Sequence, residues 1–122
     1  MLPRFITKEI HAYLDYPVAL SLMVMPFLLG LGTANPLAFW ISVITGIAAL
    51  FLTVLTDHHL GVVRILPYSL HLTVDAIVGG IFVIAPIALQ FTGLDLWYYM
   101  VLGLTVLAVV GLHKSETSAQ LA

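Results

Sequence analysis

The stretch "HLTVDAIVGGIFVIAPIALQF", residues 71–91, decides the fold. It holds one charged residue, Asp75, among twenty-one. As an α-helix rising about 1.5 Å per residue it reaches about 30 Å, the thickness of a bilayer's hydrocarbon core. Working outward, the apolar run begins near Leu70, and three others match it, from about Pro17 to Leu31, Leu37 to Thr56 and Leu96 to Leu112. These runs are apolar all round, whereas the strands of a membrane barrel alternate over roughly ten residues. Backbone groups in lipid must be satisfied within their own segment, so each run is expected to be a helix. The reading is an all-α integral membrane protein of one domain, residues 1–122, with four transmembrane helices.

Composition agrees. The chain is 61% hydrophobic and 8% charged, against about 45–50% and about 25% in soluble domains. So apolar a chain cannot cover its surface with polar groups, and the lipid bilayer is the expected partner. There is no cysteine, which excludes disulfides and thiolate chemistry. Net charge is −2 with no basic run, so nucleic-acid binding has no electrostatic footprint. Phosphate loops, G-x-S-x-G and HExxH are absent, and Ser69, His71 and Asp75 on one segment do not make a triad. A signal peptide ending at "GTA", residues 32–34, is disfavoured by Glu9 and Asp15 ahead of the first run.

The basic residues set an expected orientation. Arg4 and Lys8 precede the first run, Arg64 lies between the second and third, and Lys114 follows the fourth. By the positive-inside rule both termini face the cytoplasm, in a cell's inner membrane. Trp40, Trp97, Tyr98 and Tyr99 are expected at the outer boundary, and Tyr13, Tyr16 and Tyr68 at the inner one.

A repeat runs through the chain. At an offset of 60, His11 pairs with His71, Asp15 with Asp75, Val18 with Val78, Pro26 with Pro86 and Leu29 with Leu89. At 57, Trp40 pairs with Trp97, Gly46 with Gly103, Leu50 with Leu107 and Leu55 with Leu112. Two two-helix hairpins are expected, about residues 7–60 and 67–116, related by a pseudo-twofold axis along the membrane normal. Pro26 and Pro86 should kink their helices and free a carbonyl one turn earlier. Small residues spaced by four, Ala38, Ser42 and Gly46 on the second helix and Ala76 and Gly80, beside Gly79, on the third, should allow close packing.

With "MPF" at 25–27 and "API" at 85–87, and an aromatic-rich second helix, the chain resembles the SPW-repeat family of small bacterial membrane proteins. The resemblance covers most of the chain and implies tandem two-helix repeats. Of the Ser-Pro-Trp motif that names the family, only the prolines are kept. It implies no activity for any residue.

The chemistry lies with five histidines, all expected at the cytoplasmic end: His11, His58, His59, His71 and His113. Asp15, Asp57 and Asp75 accompany them. His71 and Asp75, at i and i+4, share a helix face. A carboxylate about 9 Å into a membrane helix must face protein, water or a partner. The pseudo-twofold axis would bring His11 and Asp15 to the same place. Candidate metal ligands are therefore His11, Asp15, His71, Asp75, Asp57 and His58, for a divalent ion such as zinc, manganese or iron. His11 and His71 alone are candidate axial ligands of a haem. A competing reading makes Asp15 the N-cap of a span starting at Pro17, with His11 in a separate amphipathic interfacial helix. The functional alternatives are a small proton- or cation-coupled transporter using Asp75, working as a homo-oligomer, and a structural or accessory subunit with no site.

Overall fold

The computed structural model describes residues 5–57 and 60–113. Among the described residues four helices follow one another: α1 Lys8–Leu29, α2 Pro36–Leu55, α3 Tyr68–Ala88 and α4 Gly93–Gly111. Each is long and apolar enough to cross a membrane, and by that length and composition the chain is a multi-pass membrane protein. Both described ends, Phe5 and His113, lie at one end of the bundle, termed here the terminal end. Its connection is the α2–α3 segment, and the α1–α2 and α3–α4 turns make the opposite, loop end.

The first helix starts earlier than a span from Pro17 implies. Thr7 is its N-cap, with the Oγ1 accepting from the Ile10 N–H at 3.1 Å, and the helix runs unbroken through Pro17. Asp15 is therefore two turns inside α1 and is not its cap. His11 and Asp15 belong to the membrane helix itself, because one helix carries them a single turn apart on one face. At the other end Gly30 adopts φ +63°, and its N–H returns to the Phe27 carbonyl. Asn35 caps α2 through the Leu37 N–H, with Pro36 in the first turn.

Packing is closest within each hairpin, α1 against α2 and α3 against α4. A Cβ on Gly46 would sit 2.9 Å from the Ala19 carbonyl and 2.9 Å from Leu22 Cβ. A Cβ on Gly103 would sit 3.0 Å from the Gly79 carbonyl and 3.0 Å from Phe82 Cβ. Both glycines thus let two helix backbones touch, which is how helices associate without a hydrophobic drive between them. On α2 the buried small residues are the expected Ala38, Ser42 and Gly46. On α3 the packed glycine is Gly79, while a Cβ on Gly80 would meet nothing within 4 Å. The spacing Ala76–Gly80 pointed to the wrong side of that helix by one residue, about 100° of rotation.

The loop end carries the aromatic core. Phe82, Phe91 and Tyr99 pack together with Leu22, Leu31 and Tyr98. Trp40 and Trp97 are 55% and 67% exposed and suit a membrane boundary, but Tyr98 and Tyr99 are buried inside the bundle. Their hydroxyls explain why. Tyr99 donates to the Ala38 carbonyl at 2.6 Å, and Tyr98 pairs with Ser42 Oγ at 2.6 Å. Ser42 in turn donates to the Leu22 carbonyl at 2.8 Å. That carbonyl lacks its helical partner because Pro26, four residues on, has no N–H.

Candidate functional site

Four ionisable side chains meet at the terminal end, between α1 and α3. His11 and Asp15 come from α1, and His71 and Asp75 from α3. Each His reaches both carboxylates. His11 Nε2 lies 3.0 Å from Asp15 Oδ1 and 2.8 Å from Asp75 Oδ2. His71 Nε2 lies 3.2 Å from Asp15 Oδ2 and 3.3 Å from Asp75 Oδ2. The i, i+4 spacing supplies the contacts along each helix, and helix packing supplies those across. Both histidines are buried, and the Asp15 and Asp75 side chains retain 9% and 21% of their exposure.

The far side of His71 is fixed by Thr56, the C-cap of α2, whose Oγ1 lies 2.7 Å from His71 Nδ1. Thr56 also donates its hydroxyl proton to the Leu52 carbonyl at 2.5 Å. A hydroxyl has one proton, so Thr56 accepts from His71, and the Nδ1 of His71 carries hydrogen. In a neutral imidazole the Nε2 then presents a lone pair, and it faces oxygens of two carboxylates. Three lone-pair groups do not gather in a low-dielectric interior without a cation among them. That cation is a proton or a metal ion.

His11 differs. Its ring meets Tyr68, His71 and His113 edge-on, with centroids 5.8, 5.4 and 6.1 Å away. Its Nδ1 is buried and accepts or donates no hydrogen bond among the described residues. Lys8 Nζ lies 5.2 Å from the centroid of the Tyr68 ring, closing the cluster's margin.

One ligand atom from each of the four residues lies within 4.8 Å of the others, a group that could hold a metal ion. A tetrahedral ion with bonds of about 2.0–2.1 Å holds its ligand atoms roughly 3.3 Å apart. The His–Asp separations, 2.8–3.3 Å, need only slight expansion to reach it. A haem does not fit. Its iron takes axial imidazoles from opposite faces of a porphyrin, and here the carboxylates occupy the space between the two Nε2 atoms. Of the other candidate ligands, Asp57 is exposed in the α2–α3 segment and stands outside the group of four. His58 and His59 lie outside the described residues, as do Arg4 and Lys114.

Thr56 and Tyr68 were not marked as site residues by the sequence. The signal for Thr56 was present, since a Thr directly before Asp57 ends an apolar run at a cap position. Nothing in the sequence ties it to His71, fifteen residues away. No family model, curated protein or solved structure matches this chain.

Proposed function

We propose that this protein holds a divalent transition-metal ion in the membrane, with His11, Asp15, His71 and Asp75 as its ligands. The observation that carries the reading is His71 Nε2 turned towards Asp15 and Asp75, at 3.2 and 3.3 Å, while its Nδ1 hydrogen is committed to Thr56. Two neutral imidazoles and two carboxylates bring two negative charges, and a divalent ion cancels them. Neutrality matters here because charge inside a bilayer is costly. The nitrogen–oxygen donor set suits zinc, iron or manganese. The experiment is metal analysis of the purified protein after a pulse of zinc and gel filtration. One ion per chain is expected, and Asp15→Asn or Asp75→Asn should lose it, since an amide replaces an anionic ligand poorly. A folded protein that keeps no metal overturns the reading. The second reading, a ring held together by shared protons, is favoured by the same 2.8–3.3 Å separations, which are hydrogen-bond lengths.

The two hairpins also act as copies in this reading, as the resemblance to SPW-repeat proteins implies. Several contacts recur at offsets of 60 and 57. The His11 N–H reaches the Thr7 carbonyl, and the His71 N–H the Pro67 carbonyl. The Leu31 N–H reaches Pro26, and the Phe91 N–H reaches Pro86. Ile6 bridges His113 as Leu66 bridges Thr56. The glycine crossings described above, Gly46 on Ala19 and Leu22 and Gly103 on Gly79 and Phe82, correspond in the same way. The metal then sits on the pseudo-twofold axis, with one His and one Asp from each copy. We place the termini and this site in the cytoplasm, from Lys8 and Arg64 at the terminal end. Reporter fusions at Thr33 and Ala122 should respond oppositely; a cytoplasmic signal from Thr33 reverses the placement.

A further inference from the structure

A cavity of about 410 Å³ runs from the four ligands into the bundle between the hairpins. Residues of all four helices line it, among them Val18, Ala49, Leu52, Val78 and Val106. Three threonines stand on its wall, Thr45, Thr53 and Thr105, and the hydroxyls of the last two are turned to their own helices. Thr53 donates to the Ala49 carbonyl at 2.8 Å, and Thr105 to the Val101 carbonyl at 2.6 Å. Water needs two to four polar partners to occupy a cavity, and this wall offers few. The ionisable groups converge at one end, on the His/Asp cluster.

Besides His11 Nδ1, a second atom of that cluster is unspent among the described residues. Asp75 Oδ2 faces both His11 and His71, but Asp75 Oδ1 accepts no hydrogen bond from any described residue. Asp75 lines the cavity, and its side chain is the more exposed of the two carboxylates. At the margin Leu14 and Ile44 are exposed, so the cavity has a lateral route to lipid. The volume, at about 30 Å³ per water-sized group, holds on the order of a dozen heavy atoms. An apolar pocket with one convergent polar end is the form that small-molecule sites take.

We propose that the cavity binds a neutral, apolar molecule of roughly a dozen heavy atoms that carries one hydroxyl group. The hydroxyl donates to Asp75 Oδ1, and the apolar body lies along Val18, Val78 and Val106. The choice of a neutral hydroxyl over a protonated amine rests on the metal reading, because the ion already cancels the charge of Asp15 and Asp75.

The test compares three probes with the same alkyl chain: 4-hexylphenol, hexylbenzene and 4-hexylbenzylammonium. Thermal unfolding is followed in detergent, with the metal content of each sample measured. A saturable rise in melting temperature is expected with the phenol alone. It should vanish in Ala49→Trp or Val106→Phe, two ways to fill the cavity of which one surviving variant suffices, with metal retained. An equal effect of hexylbenzene, or a phenol effect that survives a filled cavity, overturns the proposal. Metal-loaded protein that ignores the phenol overturns the cavity site alone. Metal-free protein that prefers the ammonium probe overturns both readings.

Discussion

At the loop end of the bundle, Ser42, Tyr98 and Tyr99 bury hydroxyls, and each hydrogen bond there ends on a backbone carbonyl or another hydroxyl. At the terminal end, His11, Asp15, His71 and Asp75 bury ionisable groups that face one another. Both ends are polar islands in an apolar bundle, and both lie where α1 or α3 approaches another helix. The first kind repairs the fold: Ser42 takes up the Leu22 carbonyl that Pro26 leaves without a donor. The second kind repairs nothing in the backbone, since the ring of four satisfies mainly itself, with Thr56 linking it to the α2 end. A polar cluster that can be deleted without orphaning backbone is a better candidate for a site than one that cannot.

This contrast is broken most directly at Asp75. In Asp75→Leu, two buried imidazoles share one carboxylate, and breaking a buried pair by removing one partner costs about 3–5 kcal/mol. The variant should lose its metal and much of its stability in detergent. Removing all four groups together, as His11→Leu, Asp15→Leu, His71→Leu and Asp75→Leu, should recover most of the lost stability, because no uncompensated charge is left. A quadruple variant as unstable as the single one would show that the cluster holds the fold, and the contrast between the ends would be gone. Melting temperature and metal content, measured together, decide it.

The next effect should appear at Thr56, the point where site and backbone meet. A metal-bound imidazole is oriented by the group that accepts from its other nitrogen, and losing that group typically costs 10–100-fold in affinity. Thr56→Val keeps the shape and removes the acceptor 2.7 Å from His71 Nδ1. Zinc affinity measured by competition with a chelator should fall by about that factor. An unchanged affinity would mean that the tautomer of His71 is not set from α2.

How much of this was legible in the sequence follows from the same contrast. Four helices were legible because lipid demands about 20 apolar residues per crossing, and the chain supplies four such runs. His71 with Asp75 was legible because i, i+4 spacing is local. The meeting of both pairs was legible only through the repeat, as Asp15 read alone was equally good as a helix cap before Tyr16 and Pro17. Pro17 misled because a helix start and a tolerated proline inside a membrane helix look alike. Tyr98 and Tyr99 misled for a related reason. An aromatic pair beside Trp97 reads as a boundary marker, and whether a hydroxyl turns inward depends on a carbonyl such as that of Ala38, 61 residues from Tyr99. The Asn35 amide is another case, since it caps α2 and also donates to the Leu89 carbonyl at 3.2 Å.

Ser42→Ala addresses the loop end. It removes the donor to the Leu22 carbonyl and the partner of Tyr98, leaving two buried polar groups unmet. A loss of about 1–3 kcal/mol is expected, seen as a lower melting temperature with metal content unchanged. Ser42→Thr, which keeps the hydroxyl but adds a methyl group against a position buried beside Gly46, separates packing from hydrogen bonding. Loss of metal in Ser42→Ala would show that the two ends are coupled through the length of α1.

The smallest effect is expected at Tyr99, and it is the most exacting for the comparison. Tyr99→Phe keeps the ring stacked on Phe82, with centroids 4.5 Å apart, and edge-on to Phe91 at 4.9 Å. Only the hydroxyl that donates to the Ala38 carbonyl is lost. Unlike the Leu22 carbonyl, the Ala38 carbonyl has a helical partner position filled by a residue with an N–H, Ser42, so it is not orphaned by the change. The net value of one such bond is about 1 kcal/mol. The variant should therefore melt slightly lower than the wild type and less far down than Ser42→Ala. If Tyr99→Phe proves the worse of the two, the proline-freed carbonyl is not what makes the loop end costly to alter.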